Sequence, residues 1–301
     1  MTVTARNIWL AVSPLSWVNE VLEDLGAGTM PDQVLTEAAL AGFKGVETSR
    51  IFPRDTESLR ALLEPHGLSL ASGWFSGTLA ENSVVHDIAA VRDHAQLLHD
   101  CGARVMVYGE TAHMADNALD VALSARRPLS EIDTAAYGQR LTEFADHLQA
   151  EYGLALSFHH HLMMIGERLD EIRAIMAATG PSVGLLLDTG HAEAAGFAYA
   201  DLIREFGPRI NHVHLKDIRR PMLNRLRREG GSFNTGVRAG MFTVPGDGDV
   251  DFAPLARFLT SGGYEGWLVV EAEQDPARAP PLETVTRAAL FVREHIMGDT
   301  E

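Results

Sequence analysis

Cysteine is nearly absent from this chain: among 301 residues the single thiol is Cys101. One thiol cannot close an internal disulfide, and its scarcity fits a reducing compartment. Cys101 follows an apparent helix and precedes Gly102, which reads as a structural thiol rather than a nucleophile. Long apolar runs are also missing, since none approaches the roughly 18–20 residues that span a bilayer. Residues Met1 to Asn7 carry no basic-then-apolar export signal, so a cytoplasmic location is expected. Basic charge is short as well, with 25 Lys and Arg against 41 Asp and Glu, a formal net of -16. Such a surface repels phosphate backbones and anionic membranes, so neither nucleic acid nor lipid is an expected partner. There is no Gly-x-Gly-x-x-Gly after the first apolar run, which argues against a dinucleotide fold. Linkers, low-complexity tracts and short repeats are lacking too.

What is present is an alternation of strand and helix patterns from end to end. Apolar runs at Ile8–Val12, 45–47, 68–75, 104–108, 154–158, 183–187, 210–215 and 267–270 read as buried strands. Between them lie helical spacings at 31–41, 55–66, 84–101, 130–152, 168–179 and 199–206, another starting near Phe252, and a closing one at 282–296. Asp55 or Thr56 can cap the second of these, with Gly67 ending it; Ser130 and Asp133 stand in capping-box spacing before the fourth. Eight strands alternating with about eight helices predict one α/β domain over residues 1–301, a (β/α)8 TIM barrel. The stretch 219–251 reads as a long loop carrying six arginines up to Arg238 and a PGDGDVD end, with Asp251 placed to cap the following helix. Its arginines suit a subunit contact or a solvated face better than a phosphate site.

Four polar clusters close four of the strands: His159-His160-His161, Asp188-Thr189-Gly190-His191, His212-Val213-His214-Leu215-Lys216-Asp217, and Glu271-Ala272-Glu273. In a barrel all four meet at the C-terminal mouth, where active sites lie. Strand alternation puts His159 with His161, His212 with His214 and Lys216, and Glu271 with Glu273 on shared faces. One inward ligand from each strand gives His159, Asp188, His214 and Glu271, a nitrogen and oxygen set suited to Mn²⁺, Co²⁺ or Zn²⁺. Taken singly, each cluster has a bland explanation as a structural histidine, turn chemistry or a solvated edge; four coincident ones point to a metal centre. Glu47 and Glu110, at the ends of earlier strands, are candidates for substrate contact or support, and Trp74 and Phe75 for a wall.

These residues resemble the inosose dehydratases (2-keto-myo-inositol dehydratases), in the xylose-isomerase-like barrel superfamily that also holds ketose 3-epimerases and apurinic endonucleases. The resemblance runs through PLSWVN (14–19), ALAGFKGVE (39–47), Phe52-Pro53, SGWF (72–75), the triple His, LLDTGH (186–191), HVHLKD (212–217), GMFTVPGDG (240–248) and VVEAEQDP (269–276). It implies a Mn²⁺- or Co²⁺-dependent hydro-lyase dehydrating 2-keto-myo-inositol to a trihydroxycyclohexane-1,2-dione, in a homodimer or homotetramer, and it admits glutathione as a further cofactor. In relatives the fifth-strand ligand is commonly Glu, and His159 takes that place here. On this reading His161, Lys216 and Glu273 are the candidate acids and bases, while Glu47, Trp74, Glu110, His191 and His212 contact substrate. Thr48-Ser49-Arg50-Ile51 and Val18-Asn19-Glu20-Val21 depart from the family pattern at the rim, where sugar specificity is read. The rival activity is a metal-dependent ketose 3-epimerase or sugar isomerase, which shares the enolate but returns the proton; a nuclease fits the charge poorly, and a polyol-binding protein would survive chelation.

Overall fold

The computed structural model describes residues 7–115 and 117–298. Nine strands form one sheet: β1 (Ile8–Val12), β2 (Gly45–Glu47), β3 (Ser69–Ser72), β4 (Trp74–Gly77), β5 (Val105–Glu110), β6 (Ala155–His159), β7 (Val183–Asp188), β8 (Ile210–Leu215) and, after a short antiparallel pair β9 (Asp217–Ile218) and β10 (Phe242–Thr243), β11 (Gly266–Val270). Every pairing in the main sheet is parallel. Its two ends, β3 and β4, are one stave broken at Gly73: β3 bonds to β2 and β4 to β5. The sheet therefore closes on itself as an eight-stave barrel, as the sequence pattern predicts. A side chain at Gly73 would run into Thr48 and His94, so the break needs glycine.

Alternation divides the staves into two faces. Leu10, Val46, Met106, Leu156, Phe158, Leu185, Leu187, Val213, Leu215, Leu268 and Val270 face outward into the main core, against the helices. The inward set is small or polar, with Ala11, Ala71, Val269 and Trp267 packed together below and Ser157, His159, His212 and His214 above. A large apolar layer outside and a narrow polar interior follow directly from the strict two-residue period.

Outer helices largely follow the sequence, with α1 Pro31–Leu40, α2 Thr56–Leu63, α3 Val84–Asp100, α4 Thr134–Tyr152, α5 Leu169–Ala178, α6 Thr189–Ala195 and α7 Tyr199–Phe206. Asp55 caps α2 and left-handed Gly67 ends its 3-10 extension. Two expectations need correction. The fourth helix begins at Thr134 with Asp133 as its cap, and Ser130 lies in a separate 3-10 turn. The stretch after β9 is no open loop: it folds as α8 (Arg220–Arg228) and α9 (Phe233–Ala239), followed by β10. Short amphipathic segments separated by Gly230 and Gly231 gave too little periodicity to read. α10 (Ala253–Thr260) and α11 (Pro281–Phe291) complete the chain; the Asp251 carboxylate accepts from the backbone of Ala253 at the start of α10.

Five of the six arginines in that insertion have structural partners. Arg219 donates to Thr243, Asp247 and the Gly240 carbonyl, Arg220 to Glu193, and Arg227 to the Ala194 carbonyl. Arg225 pairs with Glu229, and Arg238 makes a two-point contact with Asp24 in the segment after β1. Asn234 donates to Asp120, so α9 is tied across the mouth to two other loops.

Candidate metal centre

Ligand atoms of His159, Asp188, His214 and Glu271 all lie within 4.8 Å of one another at the C-terminal mouth. Each comes from a different stave end, and all four are buried. The geometry suits a cation for a specific reason: three of the facing atoms, Asp188 Oδ2, His214 Nδ1 and Glu271 Oε2, are buried without a hydrogen bond. His214 Nδ1 and Glu271 Oε2 stand 2.8 Å apart but off the line of a hydrogen bond. Leaving such atoms unpartnered in protein is unfavourable by about 1–3 kcal/mol each, and a divalent ion would satisfy them together.

The remaining atoms of these side chains are fixed by neighbours. His159 Nδ1 donates to the His160 carbonyl at 2.9 Å, so its Nε2 lone pair faces Asp188 Oδ2, 3.7 Å away. Asp188 Oδ1 caps α6 by accepting from the His191 backbone at 2.7 Å, which leaves Oδ2 for the centre. His214 Nε2 meets Glu47 Oε1 at 3.0 Å, turning Nδ1 inward. A carboxylate behind a ligating imidazole is the usual way to fix its tautomer and ring plane. Burial pushes the Glu47 carboxyl up, but His214 and His212 outweigh it and hold it well below the usual range. Burial opposes charge on His214, yet Glu47 and Glu271 on either side draw its pKa well up. Burial, aided by His214 and His161, keeps His159 neutral. Burial raises Asp188 to about 6, whereas at Glu271 the same effect is outweighed by Lys216 and His214, leaving about 2.

A cavity of about 320 Å³ opens above these groups. Its wall includes Glu47, Trp74, His159, His161, His214, Glu271 and Glu273, with Asn19, Glu20, Val21, Thr48, Ser49 and Arg54 toward the rim and Phe233 from α9. The two segments that depart from the family pattern are bonded to each other there. The Glu20 carboxylate accepts from the Ser49 hydroxyl at 2.8 Å and the Arg50 backbone at 3.0 Å, and Arg50 Nε donates to the Asn19 carbonyl. A wider groove of about 480 Å³ beside Arg126 and Arg168 holds none of the clustered ligands.

The substrate-contact expectations fare unevenly. Trp74 stands on the cavity wall, half exposed, edge-on to His159 and His161. Glu47 touches the cavity, but its Oε1 is engaged by His212, His214 and the Ser72 hydroxyl. Glu110 is a correction: it lies outward on β5, accepting from Tyr108, Ala80 and Ala112. It shares parity with Met106 and Tyr108, whose side chains belong to the outer core. His212 is another, fully buried beneath the centre against Glu47 and Ser72. His191 is a third, lying off the cavity wall and bonded to Lys216 at 2.9 Å. Among the acid–base candidates, His161 and Glu273 face the cavity while Lys216 sits behind them, fully buried. Phe233 and Arg54 were missed; Phe233 reaches the site from a segment without strong periodicity, and nothing local marks Arg54.

The xylose isomerase-like TIM barrel family matches residues 35–295. The chain belongs to that family. It is 39% identical to the inosose dehydratase of Geobacillus thermodenitrificans (strain NG80-2), over 96% of this chain and 97% of that one. It is 41% identical to the rhizopine catabolism protein MocC of Rhizobium meliloti, over 92% of this chain and 85% of that one. These relatives bear out the resemblance to inosose dehydratases. Solved structures share the fold: a D-allulose 3-epimerase from Methylomonas sp. at TM-score 0.68 and 18% identity, covering 96% of this chain and 98% of that one, and the IOLI protein with a binding zinc atom at TM-score 0.67 and 16% identity, covering 97% and 99%.

Proposed function

We propose that this protein is a metal-dependent hydro-lyase that dehydrates a cyclic keto-polyol, 2-keto-myo-inositol, to a trihydroxycyclohexane-1,2-dione. The observation that carries the reading is the inward His159–Asp188–His214–Glu271 cluster, with its unpartnered atoms, at the floor of a polyol-sized cavity in a close relative of inosose dehydratases. A divalent ion held there, Mn²⁺ or Co²⁺ on the family resemblance, supplies Lewis acidity that makes the carbon beside the ketone acidic.

The chain's own groups do the rest. The Trp74 indole offers a flat face for the C–H side of the ring, and Asn19, Glu20 and Ser49, tied together by the Glu20 to Ser49 and Arg50 to Asn19 bonds, shape the rim against which its outer hydroxyls lie. Glu273 removes the proton α to the ketone. Burial raises its carboxyl, Lys216 opposes that, Glu271 adds to it, and the outcome is about 7, the range in which a general base works best. The electron pair left on carbon expels the β-hydroxyl, Glu273 returns the same proton to the departing oxygen to release water, and the enol left behind tautomerises to the 1,2-dione. His161 is fixed by Nδ1 on the Leu162 carbonyl at 2.6 Å, so its Nε2 lone pair can accept from a substrate hydroxyl. Lys216 holds Glu273 in place at 3.3 Å instead of touching substrate.

The test is incubation with inosose and Mn²⁺ or Co²⁺. A conjugated dione absorbing in the ultraviolet is expected, and chelation abolishes it. Proton exchange in deuterated water without dehydration would replace this reading with epimerisation. Glu273→Gln should lower kcat by about 10²–10⁴-fold with a smaller effect on KM.

A further inference from the structure

Beside the first cluster, partly on the cavity wall, lies a second group of potential ligands: His161, His191 and Glu273 present atoms within 4.8 Å of one another. Two imidazoles and a carboxylate, with Glu271 beside them, are as good a donor set for a divalent ion as the first cluster. Lys216 stands against two of the three. Its ammonium lies 2.9 Å from His191 Nε2, 3.2 Å from Glu271 Oε2 and 3.3 Å from Glu273 Oε2. Held by these groups, the ammonium is fully buried and off the cavity wall, away from substrate. The side chain is threaded into this position. A Cβ at Gly190 would stand 2.5 Å from Lys216 Cγ, and the Phe242 ring lies 4.8 Å from Nζ on the other side.

We infer that Lys216 is a resident cation that keeps this centre to one metal ion by filling the site of a second. The inference rests on the reading of the first cluster as a metal site. Charge balance runs the same way. With all four buried carboxylates ionised, Glu47, Asp188, Glu271 and Glu273 set against one divalent ion and one ammonium leave a single net negative charge. With the ammonium removed, the net becomes two negative charges over an open pair of imidazoles, and a second divalent ion is drawn in.

Equilibrium dialysis against Co²⁺, with cobalt counted by mass spectrometry, distinguishes the outcomes. Wild type should hold one ion per chain, Lys216→Met and Lys216→Gln two, and Lys216→Arg one. Lys216→Met combined with Glu273→Gln and His161→Ala should return to one. The neutral variants are compared only when their circular dichroism matches wild type, and Lys216→Gln retains hydrogen bonding if Lys216→Met folds poorly. Two ions in wild type, or one in both neutral variants, overturns the inference and leaves the first site standing. No ion in wild type overturns the metal reading itself.

Discussion

At the residue scale, Glu47 illustrates how one of two readings of a side chain prevails. Its place at a strand end suggested substrate contact or support, and its Oε1 is spent on support of the two imidazoles of β8. Glu47→Gln should therefore weaken metal affinity by roughly 10–100-fold, measured by competition with a chromophoric chelator, because His214 loses its charged orienting partner. Glu110 carries a different prediction. Burial raises its carboxyl to about 7 against an ordinary 4.5, so the folded protein binds a proton there that the unfolded chain has already released. Its contribution to stability is present below about pH 4.5 and is lost as pH rises through 7. Comparing wild type with Glu110→Gln by urea unfolding at roughly pH 5 and pH 8 should show the variant gaining, relative to wild type, on the order of 3 kcal/mol. An unchanged difference between the two conditions would place the proton elsewhere.

At the scale of elements, the HVHLKD and PGDGDV motifs prove to be two halves of one joint. The Asp217 carboxylate accepts from the backbones of Ile218, Gly246, Gly248 and Val250 at 2.8–3.1 Å. It thereby pins the segment after β10 beside β8, and Gly248 must lack a side chain because a Cβ would stand 2.4 Å from Asp217 Oδ1. Asp217→Ala leaves those donors unsatisfied, and a loss of at least about 3 kcal/mol is expected in urea unfolding. The staves themselves were readable in sequence because each is a short apolar run closed by polar residues. The α8 and α9 helices were not, since they are brief, split by glycines, and held by cross-chain ties such as Arg238 to Asp24 that local pattern does not record.

On the scale of the whole molecule, barrel closure makes the metal centre depend on four distant parts of the chain at once. Binding of an ion to the folded state alone stabilises it by about 3 kcal/mol at a hundredfold excess over Kd. Removing the ion with a chelator should thus lower Tm by several degrees, and a scan showing no shift would argue against tight metal binding. The -16 formal charge predicts no retention on DNA at physiological salt.

The sequence by itself determined the barrel and the inward parity of His159, Asp188, His214 and Glu271, because a two-residue period and strand-end polarity are local properties; its motifs, by resemblance, gave the dehydratase lineage. Only the tertiary structure decided which polar groups face the cavity and which stand behind it. Glu110 could have been sorted by its phase with Met106 and Tyr108, but His191 could not, since the passage of Lys216 over Gly190 arises only when separate strands close into one ring.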